Sequence, residues 1–285
     1  MSIVVTAASS RLGRHVVEAL LARGVPASGI IATGRDVARI KDLADRGIVV
    51  RRADFADPAS LSEAFEGAGK LLLISTTDVG QRVANHRRAM DAAMAAGASL
   101  IAYTSMLHAD TATSILGATH YATEQDLRHR SVPSVMLRNS WYLENYIDQL
   151  PQVSLGGILA GATGSGRISA ATRADYADAA AVVLTSEGHA GQVYELGGDE
   201  AFTLGELAAT ISAVTGEQIT HADLSVSDFT QALVDAGLPA ELAHILADAD
   251  LAMSRGELFT DSGDLSRLIG RPTVRPAQAI AAAIS

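Results

Sequence analysis

The chain has 285 residues, with 32 acidic against 22 basic side chains and a net charge of −10 at pH 7. That length builds one large α/β domain or two unequal ones, and a composition of 48% hydrophobic and 19% charged residues excludes a largely disordered protein. The acidic balance excludes nucleic acid or an acidic membrane as the main partner, and the absence of cysteine excludes disulfides, thiolate metal centres and a cysteine nucleophile. The opening residues Met-Ser-Ile-Val-Val-Thr carry no basic segment ahead of an apolar run, and no uncharged apolar stretch of about 18 residues follows. The expected compartment is the cytoplasm, with no membrane partner.

In chain order, short apolar runs alternate with longer amphipathic ones: Ile3–Thr6 then Leu12–Arg23, Ile30–Thr33 then Val37–Arg46, Ile48–Arg52 then Ala59–Phe65. Leu71–Ile74, Val83–Ala96, Leu100–Thr104, Ala118–His129 and Ser134–Leu137 continue the alternation. Runs with little polar alternation, separated by helical patterns, predict a parallel sheet covered on both faces. Gly24, Gly47 and Gly97 stand where helices stop, and Asp57-Pro58 supplies an N-cap and a first-turn proline. Past Arg138 the pattern loosens into Trp141–Leu150 and a glycine-rich stretch, then resumes with a helix over Ala174–Leu184 and a strand over Gln192–Leu196. Thr203-Leu204-Gly205-Glu206 has capping-box spacing and opens a helix to about Thr215, and helical patterns cover Ser227–Ala236, Glu241–Met253 and Pro276–Ala283. The expected architecture is a Rossmann-type doubly wound parallel sheet, residues 1–140 plus roughly 170–198, with a smaller, mostly helical lobe of residues 141–169 plus 199–285. The cleft between them is the natural ligand site.

Directly after the first strand the chain reads Thr6-Ala7-Ala8-Ser9-Ser10-Arg11-Leu12-Gly13 and opens a helix. A dinucleotide-binding fold places its glycine-rich turn here, so that backbone amides and a helix N-terminus face a pyrophosphate. The three glycine positions of such a turn fall on Ala7, Ser10 and Gly13, and only the last is glycine. If positive φ is required at either altered position, each change costs about 1 kcal/mol. The serine hydroxyls of Ser9 and Ser10 can donate to phosphate oxygens, although a serine-rich turn with a good N-cap reads equally well as simple structure. The second strand ends Ala32-Thr33-Gly34-Arg35-Asp36, which places Arg35 to meet a 2′-phosphate and favours NADP over NAD. Two other readings stand beside it: Asp36 at the same tip, and a solvated surface arginine.

Several further segments are shared with a known family. Arg51-Arg52-Ala53-Asp54-Phe55, Lys70–Ser75, Ile101–Ser105, Leu137–Tyr146, Thr172–Tyr176 and Leu268–Pro272 run in order nearly end to end, and with them the chain resembles the NmrA-like atypical short-chain dehydrogenase/reductases, within them the type 2 NAD(P)H:quinone oxidoreductases and the triphenylmethane reductases. The resemblance implies a dinucleotide along the carboxyl ends of the strands. Arg11, Leu12 and Arg35 would hold its phosphates beside the Thr6–Ser10 turn, Asp54 and Phe55 would sit by the adenine, and Ser75, Thr76 and Thr77 would line the path to the nicotinamide ribose. Tyr103, Thr104, Ser105 and Asn139 would frame the nicotinamide; apart from the resemblance, His120 reads as a helix-surface hydrogen bond or a polar contact on the cofactor side. The Trp141–Tyr146 segment, through Trp141, Tyr142, Asn145 and Tyr146, would wall the substrate cleft, with His108 near its mouth.

The Tyr-x-x-x-Lys pair of typical short-chain dehydrogenases is absent, since Tyr121 is followed four residues later by Gln125. Quinones and cationic dyes accept hydride with little help from an acid, which suits a site that mainly positions donor and acceptor. The expected catalytic set is Tyr103, His108, Asn139 and Tyr142, with Tyr103, His108 and Tyr142 as candidate proton donors. His120 and Glu124 have i, i+4 spacing but no third ligand, so no metal is expected, and no flavin is indicated. The reading is an NADPH-dependent oxidoreductase that transfers hydride to a quinone-like or conjugated carbonyl acceptor, as a monomer or homodimer with a small aromatic substrate as partner. An NADP-sensing regulator without turnover, and a cofactor-independent isomerase or aldol-type cyclase in the same cleft, remain as alternatives.

Overall fold

The computed structural model describes residues 2–284. The chain order is β1 (Ser2–Val5), α1 (Arg11–Ala22), β2 (Ile30–Gly34), α2 (Lys41–Asp45), β3 (Val49–Arg52), α3 (Pro58–Ala64), β4 (Ala68–Leu73), α4 (Arg82–Ala95) and β5 (Ile101–Met106). It continues with α5 (Ile115–Arg128), β6 (Ser134–Asn139), α6 (Glu144–Ile147), α7 (Leu150–Gly156), β7 (Ile158–Gly161), α8 (Arg173–Thr185) and β8 (Val193–Leu196). The last part holds α9 (Leu204–Thr215), β9 (Thr220–Asp223), α10 (Val226–Asp235), α11 (Ala240–Ser254), α12 (Asp264–Ile269) and α13 (Pro276–Ile284).

Seven strands form one sheet in the order β3-β2-β1-β4-β5-β6-β8. The pairs from β3 through β5 are parallel, with Val4 opposite both Ile31 and Leu71. Strand order turns back on itself between β1 and β4, the switch point where the carboxyl ends of the strands open a crevice in doubly wound folds. Local chemistry explains the elements around it. β2 is buried along its whole length, as a run without polar alternation requires when both faces are covered. Leu12, Gly13, Val16, Val17 and Leu20 give α1 a buried stripe at helical spacing. Asp57 caps α3 by accepting from the Ala59 and Ser60 amides, with Pro58 in the first turn.

The chain divides into two compact units: residues 1–105, 119–138 and 173–194, and residues 106–118, 139–172 and 195–285. The first has its core in Val4, Ile31, Phe65, Leu71, Leu73, Met90, Ile101 and Tyr103. The second is built around Leu107, Leu143, Tyr146, Leu159, Ile168, Phe202, Ile211, Met253 and Leu258. Residues 106–118 cluster with the second unit, although the reading of the sequence had them in the sheet domain.

The chain departs from the expected pattern in three places. Val37–Arg46 is a 3-10 turn over Val37–Ile40 capped by Asp36 and then the short α2. The second unit also contains β7 and β9, paired in parallel with Leu159 opposite His221, which the sequence hides because each is four residues long and β9 is polar. The six-residue α12 lies between Gly263 and Gly270, both at positive φ, too short for a periodic signal.

Candidate nucleotide site

In the turn after β1, Ala7 has φ +49, the left-handed conformation that glycine normally supplies. Ser10 does not need it: at φ −76, ψ 161 it is the extended N-cap of α1, its Oγ accepting from the Gly13 amide at 3.0 Å. Gly13 is required for a different reason, because a Cβ there would stand 2.4 Å from the Ala7 carbonyl oxygen. The turn therefore keeps the shape of a glycine-rich phosphate loop while two of its glycines are replaced.

A cavity of about 400 Å³ opens on this turn, lined by Ala7, Ser9 and Ser10, by Thr33–Arg35 and Arg39, by Ala53–Ala56, by Ile74–Asp78 and by Asn85. Among the sequence-predicted residues it brings together Ser9, Ser10, Arg35, Asp54, Phe55, Ser75, Thr76 and Thr77. The Arg35 guanidinium has no carboxylate partner among the described residues, and neither does that of Arg39, whose carbonyl accepts from Arg14. Asp36 does not line the cavity; its carboxylate caps the following 3-10 turn, accepting from the Ala38 amide at 3.0 Å. Asp54 Oδ1 accepts from the Ala56 amide at 3.0 Å and its Oδ2 lies 3.7 Å from Arg52. Phe55 meets the His86 ring edge-on, centroids 6.3 Å apart. The donor set fits a dinucleotide phosphate: a preserved turn, two serine hydroxyls and two unpaired guanidinium groups. Arg39 and Asn85 were missed in the sequence. Asn85 was detectable, since Arg82, Asn85, His86 and Ala89 share one buried helix face at i, i+3, i+4, i+7, a polar stripe where an apolar one was expected.

Other predicted contacts lie outside the cavity wall. Leu12 packs into the core of the first unit at 6% exposure, and Arg11 is exposed and not part of the wall. Thr6 donates to the Leu72 carbonyl at 3.1 Å and accepts from the Ile74 amide at 2.8 Å, and Thr104 Oγ1 accepts from the Ser75 amide at 2.9 Å. Ser105 donates to Glu124 at 2.6 Å, and Arg138 grips the same buried carboxylate through Nε at 2.9 Å and Nη2 at 2.7 Å. His120 is committed to Tyr103, its Nδ1 2.8 Å from the phenol oxygen. Burial pushes the Tyr103 phenol up and holds His120 far below its ordinary value, so both stay neutral. Tyr103 is fully buried, which removes it as a proton donor to a ligand.

In the second unit His108 stands at φ +51, its Nε2 hydrogen-bonded to the Phe259 carbonyl at 2.8 Å and its Nδ1 4.0 Å from Glu195. Asn139 Oδ1 is buried with no hydrogen-bond partner among the described residues. Tyr142 is half-buried and bridges to Ala171, and Trp141 and Asn145 are half-buried beside it. Tyr146 is a core residue: its hydroxyl reaches Met253 Sδ at 3.7 Å, and burial pushes the phenol far up, so it does not belong to a ligand-facing wall. Among the described residues no cluster of metal-ligating side chains occurs, and no helix is long and apolar enough to cross a membrane.

The chain is 48% identical to quinone oxidoreductase 2 of Escherichia coli over 278 residues, covering 98% of this chain and 97% of that one. The NADPH-dependent quinone oxidoreductase QOR2 of E. coli, solved in complex with NADPH, superposes with a TM-score of 0.96 at 47% identity over 99% of this chain and 100% of its own. The Citrobacter triphenylmethane reductase complexed with NADP(H) gives 0.91 at 37% identity over 99% and 100% of the two chains. The NmrA-like family model matches residues 1–256. On the sheet order, the turn around Ala7 and this match, the chain belongs to the NmrA-like family.

Proposed function

We propose that the protein is an NADPH-dependent oxidoreductase acting on a quinone-like or conjugated carbonyl acceptor. The observation that carries this reading is the cavity at the strand switch point, walled by a glycine-type turn and by Arg35 and Arg39, which have no carboxylate partner among the described residues. Near half identity over the whole chain to a quinone oxidoreductase supports it.

Ser9, Ser10 and the turn hold the pyrophosphate, with the backbone amides of Arg11 and Leu12 contributing from the first turn of α1 while their side chains stay off the cavity wall. Arg35, joined by Arg39, holds a 2′-phosphate through charge-assisted hydrogen bonds, and Asp54 with Phe55 receives the adenine end. Ser75, Thr76 and Thr77 line the ribose side, while Asn139 offers an acceptor oxygen that carries no other bond among the described residues. Bound NADPH supplies the hydride. The chain contributes positioning: Trp141, Tyr142 and Asn145 present half-buried aromatic and polar surface to a flat acceptor, and Tyr142 delivers the accompanying proton, the Nε2 proton of His108 being spent on the Phe259 carbonyl. The protein works in the cytoplasm as a monomer or homodimer. The preserved left-handed turn favours this reading over a chain that has abandoned its cofactor.

Titrating the purified protein with NADPH and NADH by nucleotide fluorescence tests the proposal. Micromolar binding that prefers NADPH, followed by quinone-dependent NADPH oxidation, is the expected result. No binding up to millimolar nucleotide refutes it, and tight binding without turnover on any quinone identifies a sensor instead.

A further inference from the structure

We propose that Thr6, Thr104 and His86, with Arg82 behind them, are positioning residues that clamp the Ile74–Thr76 wall of the cavity in the shape the nucleotide needs; this rests on the NADPH reading above. β4 ends at Leu73, at the point where the sheet opens. The next three amides each donate to a side chain from a different element: Ile74 to Thr6 Oγ1 at 2.8 Å, Ser75 to Thr104 Oγ1 at 2.9 Å and Thr76 to His86 Nε2 at 3.0 Å. The segment leaves the sheet with every amide satisfied, so it is held without strand pairing.

Thr76 is gripped at both ends of its peptide chemistry. Its carbonyl accepts from Arg82 Nε and Nη2, both at 3.1 Å, while Arg82 Nη1 donates to Thr119 Oγ1 at 2.7 Å. Thr123 donates its own proton to the Thr119 carbonyl at 3.2 Å, which leaves its oxygen to accept from His86 Nδ1, 3.1 Å away. His86 therefore carries its proton on Nδ1 and presents the Nε2 lone pair to Thr76. Burial and the neighbouring Arg82 charge press its pKa to about 3, which keeps that lone pair available. Arg82 is only 5% exposed and has no carboxylate in salt-bridge range among the described residues. A buried cation without a counter-ion is poor stabilising design, and its bonds instead fix one peptide of the cavity wall.

The test compares His86→Leu, which deletes the acceptor, with His86→Gln, which keeps an oxygen at similar reach, and uses Thr123→Val as a milder variant should His86→Leu not fold. Amide hydrogen exchange over residues 74–77 is read without nucleotide, NADPH affinity by fluorescence, and the wild-type imidazole tautomer by nitrogen NMR. The expected results are an Nδ1-protonated His86, faster exchange at 74–76 in His86→Leu, and NADPH binding weakened about tenfold, the worth of one buried hydrogen bond. The loss should fall more on KM for NADPH than on kcat, and His86→Gln should recover most of it. Unchanged exchange at 74–76, or an Nε2-protonated ring, overturns the clamp. Faster exchange with unaltered NADPH affinity overturns its positioning role. Wild-type protein that binds no NADPH overturns the nucleotide reading instead, and the exchange data still decide whether His86 holds the wall.

Discussion

Two substitutions of the same kind in the same turn should shift stability in opposite directions. Ala7 sits at φ +49, where an L-residue with a Cβ is strained by about 1–2 kcal/mol. Ala7→Gly removes that strain but frees the unfolded chain, an offset of about 0.4–1 kcal/mol. The net expectation is a gain of about 0.5–1 kcal/mol, or a rise in Tm of roughly 2–3 °C for a chain of this size. Ser10→Gly has no strain to relieve, because Ser10 is at φ −76, and it deletes the hydroxyl that accepts from Gly13. The lost cap and the added chain freedom together cost about 0.5–1.5 kcal/mol. Urea denaturation of the two variants and the wild type at one pH measures both signs. A destabilised Ala7→Gly, or a stabilised Ser10→Gly, would refute the assignment of the glycine-type conformation to position 7 alone.

Gly13→Ala should be far worse than either, since its methyl would lie 2.4 Å from the Ala7 oxygen and 2.7 Å from Ala8 Cα; a loss of at least about 1–3 kcal/mol together with NADPH binding is expected in denaturation and fluorescence titrations. Arg35→Ala should lower NADPH affinity about 10- to 100-fold while leaving NADH nearly untouched, and an equal loss for both nucleotides would place the 2′-phosphate elsewhere. In the second unit, burial raises the Asp250 carboxyl from 3.8 to about 6, with His221 and Asp223 beside it and His221 Nε2 3.9 Å from Asp223 Oδ1. A raised carboxyl favours the protonated folded form, so its contribution is full below about pH 4 and is lost as pH rises through 6. Asp250→Asn can keep the bond from the Ala162 amide and should therefore stabilise the protein by up to about 3 kcal/mol at pH 8, with the gain vanishing toward pH 4; a pH-independent difference would contradict the assignment.

The sheet and most of its covering helices were legible in the sequence, because burial on both faces removes polar alternation from strands and leaves an apolar stripe on α1. Gly13 and Arg35 were legible for a local reason: each is tied by a few residues to the end of a strand, so that Arg35 falls on the cavity wall and Gly13 falls where α1 starts against the Ala7 turn. The same local logic could not decide between Ala7 and Ser10, since both occupy glycine positions and only the backbone angles separate them.

What tertiary structure decided was which polar side chains bond to one another. Tyr103 and Tyr146 read as ligand-facing aromatics and are core residues, one bonded to His120 seventeen positions away and the other to Met253 across more than a hundred. Thr6 and Thr104 read as cofactor contacts and instead hold a loop dozens of residues distant. Hydrophobic periodicity reports how much of a face is buried, and it is written in neighbours three and four residues apart. A hydrogen bond such as Thr76 to His86, or Arg138 to Glu124, joins positions brought together only when strands and helices pack, and no periodic pattern records it.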